Sequence, residues 1–405
     1  MCGVLALIYP KGCSPSSRQL ERIVNRMSHR GPDGMGVKIN GEIGFAHRRL
    51  AVIDILDATQ PMVLPSGIKV TFNGEIYNFR ELRSTLIGCG HSFKYDSDTE
   101  VLLHAAEQWG PDCLNRLEGM FSLVVDDPIR GITWAARDRM GQKPLFAFDK
   151  RFFADIEHGF VSELKCILPE QNCNRVVSPN AVSRFLAYDF MPDSDGFFVG
   201  VQKVAPGELW IIDRDNLSKK PIRKKWYNLP FGRLDKVNKH QAIEQLDEQL
   251  DIATQRCMVA DVPLGIFLSG GIDSSLITAY ACRHINPNSL KTFSIGFNNP
   301  AFDESIYAQN VANHLGTKHH NLSVDSSDLL NIVPRILSAQ DEPFADPSII
   351  PTAILSRFAR EEVTVALGGD GGDELFLGYP TFVAENILSY FSWVPPEVFS
   401  NLANF

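Results

Sequence analysis

The stretch VPLGIFLSGGIDSS occupies residues 262–275. Its apolar first half, Val262–Leu268, predicts a buried strand, and its Gly/Ser-rich second half predicts a loop that opens a helix. The same order of apolar strand and helix continues downstream, which predicts a parallel sheet flanked by helices. The predicted elements are helix His240–Met258, strand Val262–Leu268, helix Ser274–His284, strand Leu290–Phe297, helix Ser305–Leu315, strand Asn321–Val324, helix Ser327–Leu337, helix Ser348–Glu361 and strand Val363–Leu367.

The loop Ser269–Ser275 has the composition of a phosphate-binding loop. Its two glycines let the backbone approach a ligand, the helix start attracts anions, and its three serines add hydroxyl donors. No Lys follows, so the loop is not a Walker P-loop. Asp273 is free to hold Mg²⁺, and this arrangement fits cleavage of ATP to AMP and pyrophosphate. The alternative is an ordinary turn between strand and helix.

A second loop, Gly368–Glu374, also follows an apolar strand. It combines four glycines with three carboxylates, a composition that suits close backbone approach and ligation of a divalent cation by oxygen. A calcium loop is the alternative, but the spacing of an EF-hand is absent. The two loops together indicate a metal–nucleotide site.

The first part of the chain has a different pattern, with many short strands and few helices. Six prolines interrupt residues 166–235, which are predicted to be less regular than the segments before them. We therefore predict a first domain at 1–215, a linker at 216–238 and a second domain at 239–405. The predicted elements of the first domain are strands Val4–Tyr9, Ile39–Ala46, Ile68–Phe72, Phe121–Asp126, Ile132–Ala136 and Leu145–Asp149 and helices Ser16–Met27 and Thr99–Trp109.

Cys2 becomes a catalytic candidate if Met1 is removed. Its thiolate can attack a carbonyl, and the neighbouring α-amine, whose pKa is ordinarily about 8, can take and return the proton. The alternative is a small buried residue that opens a strand.

Three polar clusters in the same domain fit an amino-acid substrate. Arg49 can bind an α-carboxylate, and Glu75 and Asp98 can bind an α-ammonium. Asn73 and the N–H of Gly74 can form an oxyanion hole. Taken singly, each cluster is also compatible with a solvated turn.

Composition excludes several classes of function. The net charge of −9 and the pI near 5.6 argue against nucleic-acid binding. Eight cysteines without a CxxC pair indicate reduced thiols and a cytoplasmic protein. No signal peptide is recognisable, and no apolar run is long enough to span a membrane.

Taken in order, these motifs resemble the glutamine-hydrolysing asparagine synthetase family over residues 1–380. The motifs that carry the resemblance are Met1–Gly3, Arg30–Asp33, His47–Leu50, Asn73–Asn78, Ser97–Glu100, Leu117–Phe121, Arg137–Gly141, Ser162–Lys165, Ser269–Ser275, Thr292–Phe297, Asp303–Ser305, Leu315–His320, Asp341–Pro347 and Gly369–Phe376.

The resemblance implies an α+β N-terminal-nucleophile fold, αββα, followed by an α/β parallel-sheet ATP-pyrophosphatase domain. It implies that Cys2 is the nucleophile, that Asn73 and Gly74 form the oxyanion hole and that Asp273 and Asp373 bind Mg²⁺. The implied glutamine-binding positions are Arg49, Asn73, Gly74, Glu75 and Asp98. The implied ATP-binding positions are Leu268, Ser269, Gly270, Gly271, Asp273, Ser274, Ser275, Ile295, Gly368 and Gly369.

The implied reaction uses glutamine, ATP and Mg²⁺ to amidate a carboxylate, aspartate in the namesake enzymes. Cys2 would release ammonia, which would travel through an apolar channel to an acyl-adenylate. Relatives are often dimers, so a homodimer is expected. Relatives with other acceptors (sugars, peptides or antibiotic precursors) are one alternative, and a glutaminase-only fragment or partner subunit is another.

Two departures from the family pattern qualify the expectation. Gly368 stands where many relatives have Ser, which removes a hydroxyl near the nucleotide. The chain also ends at Phe405, whereas relatives continue with helices that carry a catalytic Lys. The resemblance therefore predicts that the second domain is incomplete at its C-terminus.

Overall fold

The computed structural model describes residues 1–390, apart from 56, 193–195, 231, 233–236 and 301–302. Parts of the predicted linker and the end of the predicted second domain, residues 391–405, lie outside the described residues. The chain forms two compact units. The first comprises Met1–Ile243, Val259–Val262 and Ser327–Ile354, and the second comprises Glu244–Met258, Pro263–Ser326 and the described residues from Leu355 onward.

Two antiparallel six-stranded sheets form the centre of the first unit. Their strands are β1 (Gly3–Ile8), β2 (Gly34–Asn40), β3 (Ile43–Arg49), β4 (Met62–Val63), β5 (Lys69–Ile76), β6 (Gly119–Asp127), β7 (Ile132–Arg137), β8 (Phe146–Asp149), β9 (His158–Val161), β10 (Val201–Lys203), β11 (Glu208–Asp213) and β12 (Ile222–Lys225). One sheet has the order β10-β8-β9-β1-β3-β2, and the other has the order β12-β11-β7-β6-β5-β4.

The first strand shows why the two sheets stack. Every residue of β1 is buried, and side chains along a strand alternate between its faces. Val4, Ala6 and Ile8 pack with Val124 of the other sheet in one core cluster. Leu5 and Leu7 belong to a second cluster on the opposite face. A strand buried on both faces, directly after Cys2, holds the start of the chain in place.

Helices cover the outer faces of the two sheets. The helices of the N-terminal part are α1 (Ser17–Asn25), α2 (Phe79–Gly88), α3 (Asp98–Trp109) and α4 (Pro179–Tyr188). Leu20, Ile23 and Val24 of α1 join Leu5 and Leu7 of β1 in one cluster. The contacts of α3 are with β5 and β4 of the other sheet. The layers are therefore helix, sheet, sheet, helix, which is the predicted αββα arrangement.

The remaining elements follow the predicted alternation of strands and helices. They are α5 (Lys239–Cys257), β13 (Leu264–Phe267), α6 (Ile272–His284), β14 (Lys291–Phe297), α7 (Ser305–Leu315), β15 (Lys318–Val324), α8 (Ser326–Ala339), α9 (Ile349–Arg360), β16 (Val365–Leu367), α10 (Gly372–Phe376) and α11 (Pro380–Ser389). The four strands form one sheet of order β15-β14-β13-β16. All three pairings are parallel, as predicted.

One prediction of local structure is wrong. The segment 39–46 is not one strand, because the chain reverses between β2 and β3 at Gly41, whose φ is +57°. The described part of residues 166–235 contains α4 and the short strands β10, β11 and β12, so the prolines there do not exclude regular elements. Pro179 lies at the start of α4, where it is compatible with a helix.

Candidate active site

Cys2 lies immediately before β1 and is held by hydrogen bonds to Asn73, Arg30 and Leu50. Its backbone N–H donates to Asn73 Oδ1 at 2.9 Å. Its carbonyl accepts from Arg30 Nε at 2.8 Å, and its Sγ accepts from the Leu50 N–H at 3.4 Å. In this structure Met1 precedes Cys2. Removal of Met1 would turn the nitrogen that faces Asn73 into an α-amine.

The surroundings of Cys2 disfavour charge. Burial raises the pKa of the Cys2 thiol, while the hydrogen bond from Leu50 acts in the opposite direction. Burial also lowers the pKa of the Met1 amine to about 6. Burial in this part of the site therefore favours the neutral form of an amine, which is the form that a general base requires.

Asn73 and Gly74 place two donors beside Cys2. Asn73 is 1% exposed, and its Nδ2 has no hydrogen-bond partner among the described residues. The Tyr77 N–H bonds to Glu118 O across the ladder, so alternation along β5 turns the N–H groups of Gly74 and Ile76 to the other side. On that side the Ile76 N–H donates to Asp98 Oδ2 at 3.0 Å. The structure thus joins Cys2 directly to Asn73, and it places Gly74 on the adjoining part of β5 and Asp98 against the same strand.

Two carboxyl groups, those of Glu75 and Asp98, lie near each other in this region. Asp98 begins α3 because Ser97 caps the helix through the Glu100 N–H. Burial raises the pKa of Asp98 to about 6. Burial and the neighbouring Asp98 also raise the pKa of Glu75. A pair of carboxyls that ionise reluctantly is suited to receiving a cation such as an α-ammonium.

Arg49 lies at the end of β3, and its guanidinium holds the loop that follows. It donates to Ile53 O at 3.2 Å, to Asp54 O at 2.5 Å and to Ile55 O at 3.0 Å. The same loop is fixed by Asp261, whose carboxylate accepts from the Asp54 N–H at 2.9 Å. These contacts determine where the guanidinium lies, and its predicted bond to a substrate carboxylate stays a prediction.

Lys143 is a residue of this site that the sequence reasoning missed. It is 8% exposed, and among the described residues its Nζ makes no hydrogen bond. Asp138 holds its loop by accepting from the N–H groups of Gln142 and Lys143 at 2.9 and 3.0 Å. Burial lowers the pKa of Lys143, and Glu75 and Cys2 are among the groups that act on it electrostatically. Only the folded arrangement relates Lys143 to Cys2, so no local signal could have identified it.

In the second unit, hydrogen bonds between its own residues hold the predicted phosphate loop, Ser269–Ser275, in one conformation. Ser269 and Ser274 hydroxyls lie 3.0 Å apart, and the Gly271 N–H donates to Ser269 Oγ at 3.2 Å. Gly270 has a φ of +84°, and a Cβ there would lie 2.5 Å from Ala308 N. Two predicted serine donors are thus used within the loop. The Oγ of Ser275 is buried and has no partner among the described residues.

The second glycine-rich loop packs directly on the first. A Cβ on Gly369 would lie 2.8 Å from Ser274 N, and one on Gly372 would lie 2.5 Å from Asp273 Cγ. Asp373, the other predicted Mg²⁺ ligand, follows Gly372 in α10. The two loops follow β13 and β16, which are neighbours in the sheet, and ligands bind parallel sheets at such carboxyl ends.

The other predicted nucleotide positions lie around these loops. Leu268 is buried at the end of β13, and Ile295 lies on the adjacent strand β14. A Cβ on Gly368 would meet Asp370 Oδ2 at 2.6 Å. The glycine cradle and the unpartnered Ser275 hydroxyl fit a phosphate chain, and the Asp273 carboxylate beside them fits a divalent cation.

In the described part of the chain, no helix is both long enough and apolar enough to cross a lipid bilayer.

Two family models match the chain. The glutamine amidotransferase domain matches residues 1–227, and asparagine synthase matches residues 245–404. Asparagine synthetase [glutamine-hydrolyzing] 1 of Bacillus subtilis is 33% identical over 402 residues, which cover 98% of this chain and 61% of that protein. Asparagine synthetase [glutamine-hydrolyzing] of Zea mays is 31% identical over 397 residues, which cover 94% of this chain and 61% of that protein. The chain therefore spans about three fifths of the length of these relatives.

One similar solved structure is the glutamine phosphoribosylpyrophosphate amidotransferase from B. subtilis complexed with ADP and GMP. Its sequence is 17% identical. The structural match covers 79% of this chain and 65% of the chain in that structure, with a TM-score of 0.40.

Proposed function

Because the chain belongs to the glutamine-hydrolysing asparagine synthetase family, we propose that it is a ligase that catalyses the glutamine-dependent, ATP-dependent amidation of a carboxylate, with aspartate as the acceptor. The main support for the proposal is the hydrogen bond between Cys2 and Asn73. The Cys2 nitrogen is 2.9 Å from Asn73 Oδ1, and Asn73 Nδ2 is a buried donor without a partner among the described residues.

The first half-reaction uses the thiol and the amine of the same residue. Cys2 Sγ attacks the side-chain carbonyl of glutamine, and the α-amine exposed by removal of Met1 takes the thiol proton. Asn73 Nδ2 and the Gly74 N–H stabilise the oxyanion. The amine then passes the proton to the leaving ammonia, and water hydrolyses the thioester to glutamate.

Substrate recognition follows from the charges around Cys2. Asp98 and Glu75 bind the α-ammonium of glutamine, and Arg49 binds its α-carboxylate. Arg49 already uses donors on the carbonyls of residues 53–55. We infer that this loop and Arg49 form the carboxylate site together, with the remaining guanidinium N–H groups facing glutamine.

A cavity in the first unit is our candidate for the start of an ammonia path. It has a volume of about 400 Å³, and its lining includes Arg30, Phe146, Met191 and Phe344. Arg30 also bonds to the Cys2 carbonyl. The lining also includes the charged residues Glu163, Lys203, Asp341 and Glu342. Only the apolar part of the wall would disfavour protonation of ammonia, because burial disfavours the charged form.

The second half-reaction takes place at the two glycine-rich loops. Ser275 Oγ and the first N–H groups of α6 hold the phosphates, and Leu268 and Ile295 contact the adenosine. Asp273 and Asp373 would hold Mg²⁺, which would supply neutralisation of the charge on the pyrophosphate. Ser269 and Ser274 keep the first loop in its conformation, and the glycines at 270, 368 and 369 leave room for the nucleotide.

The direct test is incubation of the full chain with glutamine, aspartate and Mg-ATP. We expect glutamate, asparagine, AMP and pyrophosphate in equal amounts. In Cys2→Ala, asparagine formation from glutamine should disappear, while formation from ammonium should remain. Asparagine formed from glutamine by Cys2→Ala would refute the role of Cys2.

The same incubation separates the alternatives. Pyrophosphate release that depends on a sugar, peptide or other carboxylate, but not on aspartate, would change the acceptor. Glutamine hydrolysis without any AMP formation would identify the chain as a glutaminase. Under either outcome aspartate amidation by this chain is rejected.

Three further assignments belong to the proposal. We place the domain boundary within 216–238, between domains at 1–215 and 239–405.

All eight cysteines are free, which supports a reducing, cytoplasmic location. A homodimer is proposed from the family resemblance, and sedimentation equilibrium would test it.

A further inference from the structure

We propose that His91, His104 and Glu107 form a binding site for a zinc-like divalent cation. These three residues lie in the first unit, on α3 and on the segment that precedes it. The proposed site uses neither Cys2 nor the predicted Mg²⁺ ligands Asp273 and Asp373.

The donor atoms form a nearly regular triangle. His91 Nδ1 and His104 Nδ1 are 3.1 Å apart. Glu107 Oε2 is 3.4 Å from each of these nitrogens. A tetrahedral zinc ion with bonds of 2.0–2.1 Å requires neighbouring ligand atoms to be about 3.3 Å apart. The three distances therefore match one face of a zinc coordination tetrahedron.

The fold arranges the three side chains from two directions. His104 and Glu107 are three residues apart on α3, so they share one face of the helix. His91 follows the end of α2 and approaches from the connecting segment. Each side chain is mostly buried, at 12, 10 and 25% exposure for His91, His104 and Glu107. Such convergence costs side-chain entropy, which a bound cation would offset.

The contacts that His91 and His104 make with neighbouring residues also resemble those around a metal site. His91 Nε2 is 2.8 Å from Gln108 Oε1, so its other ring nitrogen can remain unprotonated and face a metal. Second partners of this kind commonly fix a ligating histidine. The ring of Phe93 packs edge-on against His104, with centroids 4.7 Å apart, and gives the site an apolar wall.

Without a metal, the same contacts must be explained by a proton between the two rings. His104 Nδ1–H would then donate to His91 Nδ1. That arrangement leaves Glu107 Oε2 at 3.4 Å from both nitrogens, beyond the 2.7–2.9 Å of a strong charge-assisted hydrogen bond. A cation at the centre satisfies all three donors at once. Two imidazoles and a carboxylate are ligands that suit zinc.

A metal here would connect the α2–α3 segment to α3, whose first residue is Asp98. Glu100 already holds this segment, since its carboxylate accepts from the N–H groups of Lys94 and Tyr95 at 2.9 and 2.7 Å. The proposed ion would add a second fixed point further along α3.

The test is a zinc titration of the full chain against a chromophoric chelator after treatment with EDTA. An N-terminal Cys can itself bind zinc, so the titration is made in the Cys2→Ala background. We expect one equivalent with a dissociation constant below about 1 µM. Glu107→Gln should weaken binding at least tenfold and His91→Gln at least a hundredfold. The matched controls are Glu21→Gln on α1 and His314→Gln on α7, both at exposed positions, and they should not change it.

Cobalt substitution gives a second readout that needs no ligand variant. The Co²⁺ spectrum in the Cys2→Ala background should show tetrahedral d–d bands and no thiolate charge-transfer band. Loss of zinc binding in the Cys2→Ala background would assign the metal to the N-terminus and overturn the proposal. Equal affinities in the ligand variants and the controls would overturn it as well.

Discussion

At the scale of single residues, Lys143 is the most informative side chain near Cys2. It is a buried cation, and its pKa is lowered by burial while Glu75 and Cys2 favour the charged form. A cation in such a place stabilises a thiolate. We therefore assign Lys143 the task of stabilising negative charge on Cys2 and of partly opposing the rise in the pKa of Glu75 that burial and Asp98 cause.

Replacement of Lys143 by Met keeps the apolar stem and removes the charge. We expect the glutaminase kcat to fall by about tenfold to a hundredfold, because the Cys2 thiolate loses electrostatic stabilisation. The rate of Cys2 alkylation by iodoacetamide, measured against pH, should shift to higher pH. The control is Lys150→Met, at a lysine whose side chain is 60% exposed. An alkylation profile identical to that of the natural chain would refute this role.

In the proposed function, Asp98 binds the α-ammonium of glutamine at a cost in stability. Its pKa is raised by burial from 3.8 to about 6, so the folded state favours the neutral carboxyl. The stabilising contribution is complete below pH 3.8 and is lost as pH rises through 6. At pH 7 the ionised group therefore costs on the order of 2–3 kcal/mol in the absence of glutamine.

The change Asp98→Asn should consequently stabilise the protein without glutamine at pH 7 and impair binding. Urea denaturation at pH 7 should show a higher free energy of unfolding, and the difference should vanish near pH 4. The KM for glutamine should rise at least tenfold, because the α-ammonium loses a carboxylate. Asp112→Asn, at an exposed position, is the control. A stability gain that is the same at pH 4 and pH 7 would contradict the argument.

The sequence was sufficient for residues whose chemistry is local and insufficient for those placed by the fold. Cys2, Asn73 and Asp98 stand in short recognisable motifs, and the structure joins Cys2 to Asn73 and places Asp98 against the same strand as Asn73. Lys143 lies far along the chain from Cys2 and is brought near it by the loop that Asp138 holds. His91 and His104 are 13 residues apart, and their convergence depends on how α2 and α3 are connected.

At the scale of elements, the two glycine-rich loops act as one unit because their backbones touch. Gly369→Ala places a Cβ 2.8 Å from Ser274 N and 3.0 Å from Asp273 Cβ. Backbone must move to accept it, so the first loop would shift away from the phosphates. We expect acceptor-dependent pyrophosphate release to fall at least a hundredfold, with glutamine hydrolysis unchanged.

The neighbouring glycine provides the matched comparison. A Cβ on Gly368 would meet only the far end of a side chain, Asp370 Oδ2, at 2.6 Å. That carboxylate can rotate away, so Gly368→Ala should cause a much smaller loss of pyrophosphate release than Gly369→Ala. Equal losses in the two variants would show that contact between the loops is not the cause.

Elements were predicted well where one apolar face dominates the pattern. The parallel strands and most helices of the second unit appear as predicted, because each strand is a short apolar run between polar loops. The hairpin of β2 and β3 was missed because Gly41 and Glu42 interrupt an otherwise continuous alternation. Turn geometry at one glycine, with φ of +57°, decides between one strand and two.

At the scale of the whole molecule, the first unit is completed by residues from much later in the chain. Ser327–Ile354 belong to it, and the Lys165 N–H donates to Asp341 Oδ1 at 2.7 Å. Lys165 also pairs with Glu163, which pairs with Arg30 at 2.8 Å. Since Arg30 bonds to the Cys2 carbonyl, charged contacts connect this late segment to the nucleophile.

After Asp341, Glu342 is the second residue that attaches the segment Ser327–Ile354 to the rest of the first unit. Its carboxylate is 2.7 Å from Lys203 Nζ and accepts from the Phe197 N–H at 3.1 Å. Both charged side chains are mostly buried, at 17 and 9% exposure for Lys203 and Glu342. Removal of one partner of a buried ion pair is costly, because the other charge stays desolvated.

We therefore expect Glu342→Ala to destabilise the first unit by about 3 kcal/mol. Amide exchange in peptides that cover residues 339–345 should become faster, since these residues lose an anchor. Glutamine hydrolysis should slow as well, because the same segment supports Lys165, Glu163 and Arg30 behind Cys2. Glu248→Ala, at an exposed position of α5, should change none of the three measurements. Faster exchange at 339–345 with unchanged glutaminase activity would break the connection between the late segment and Cys2.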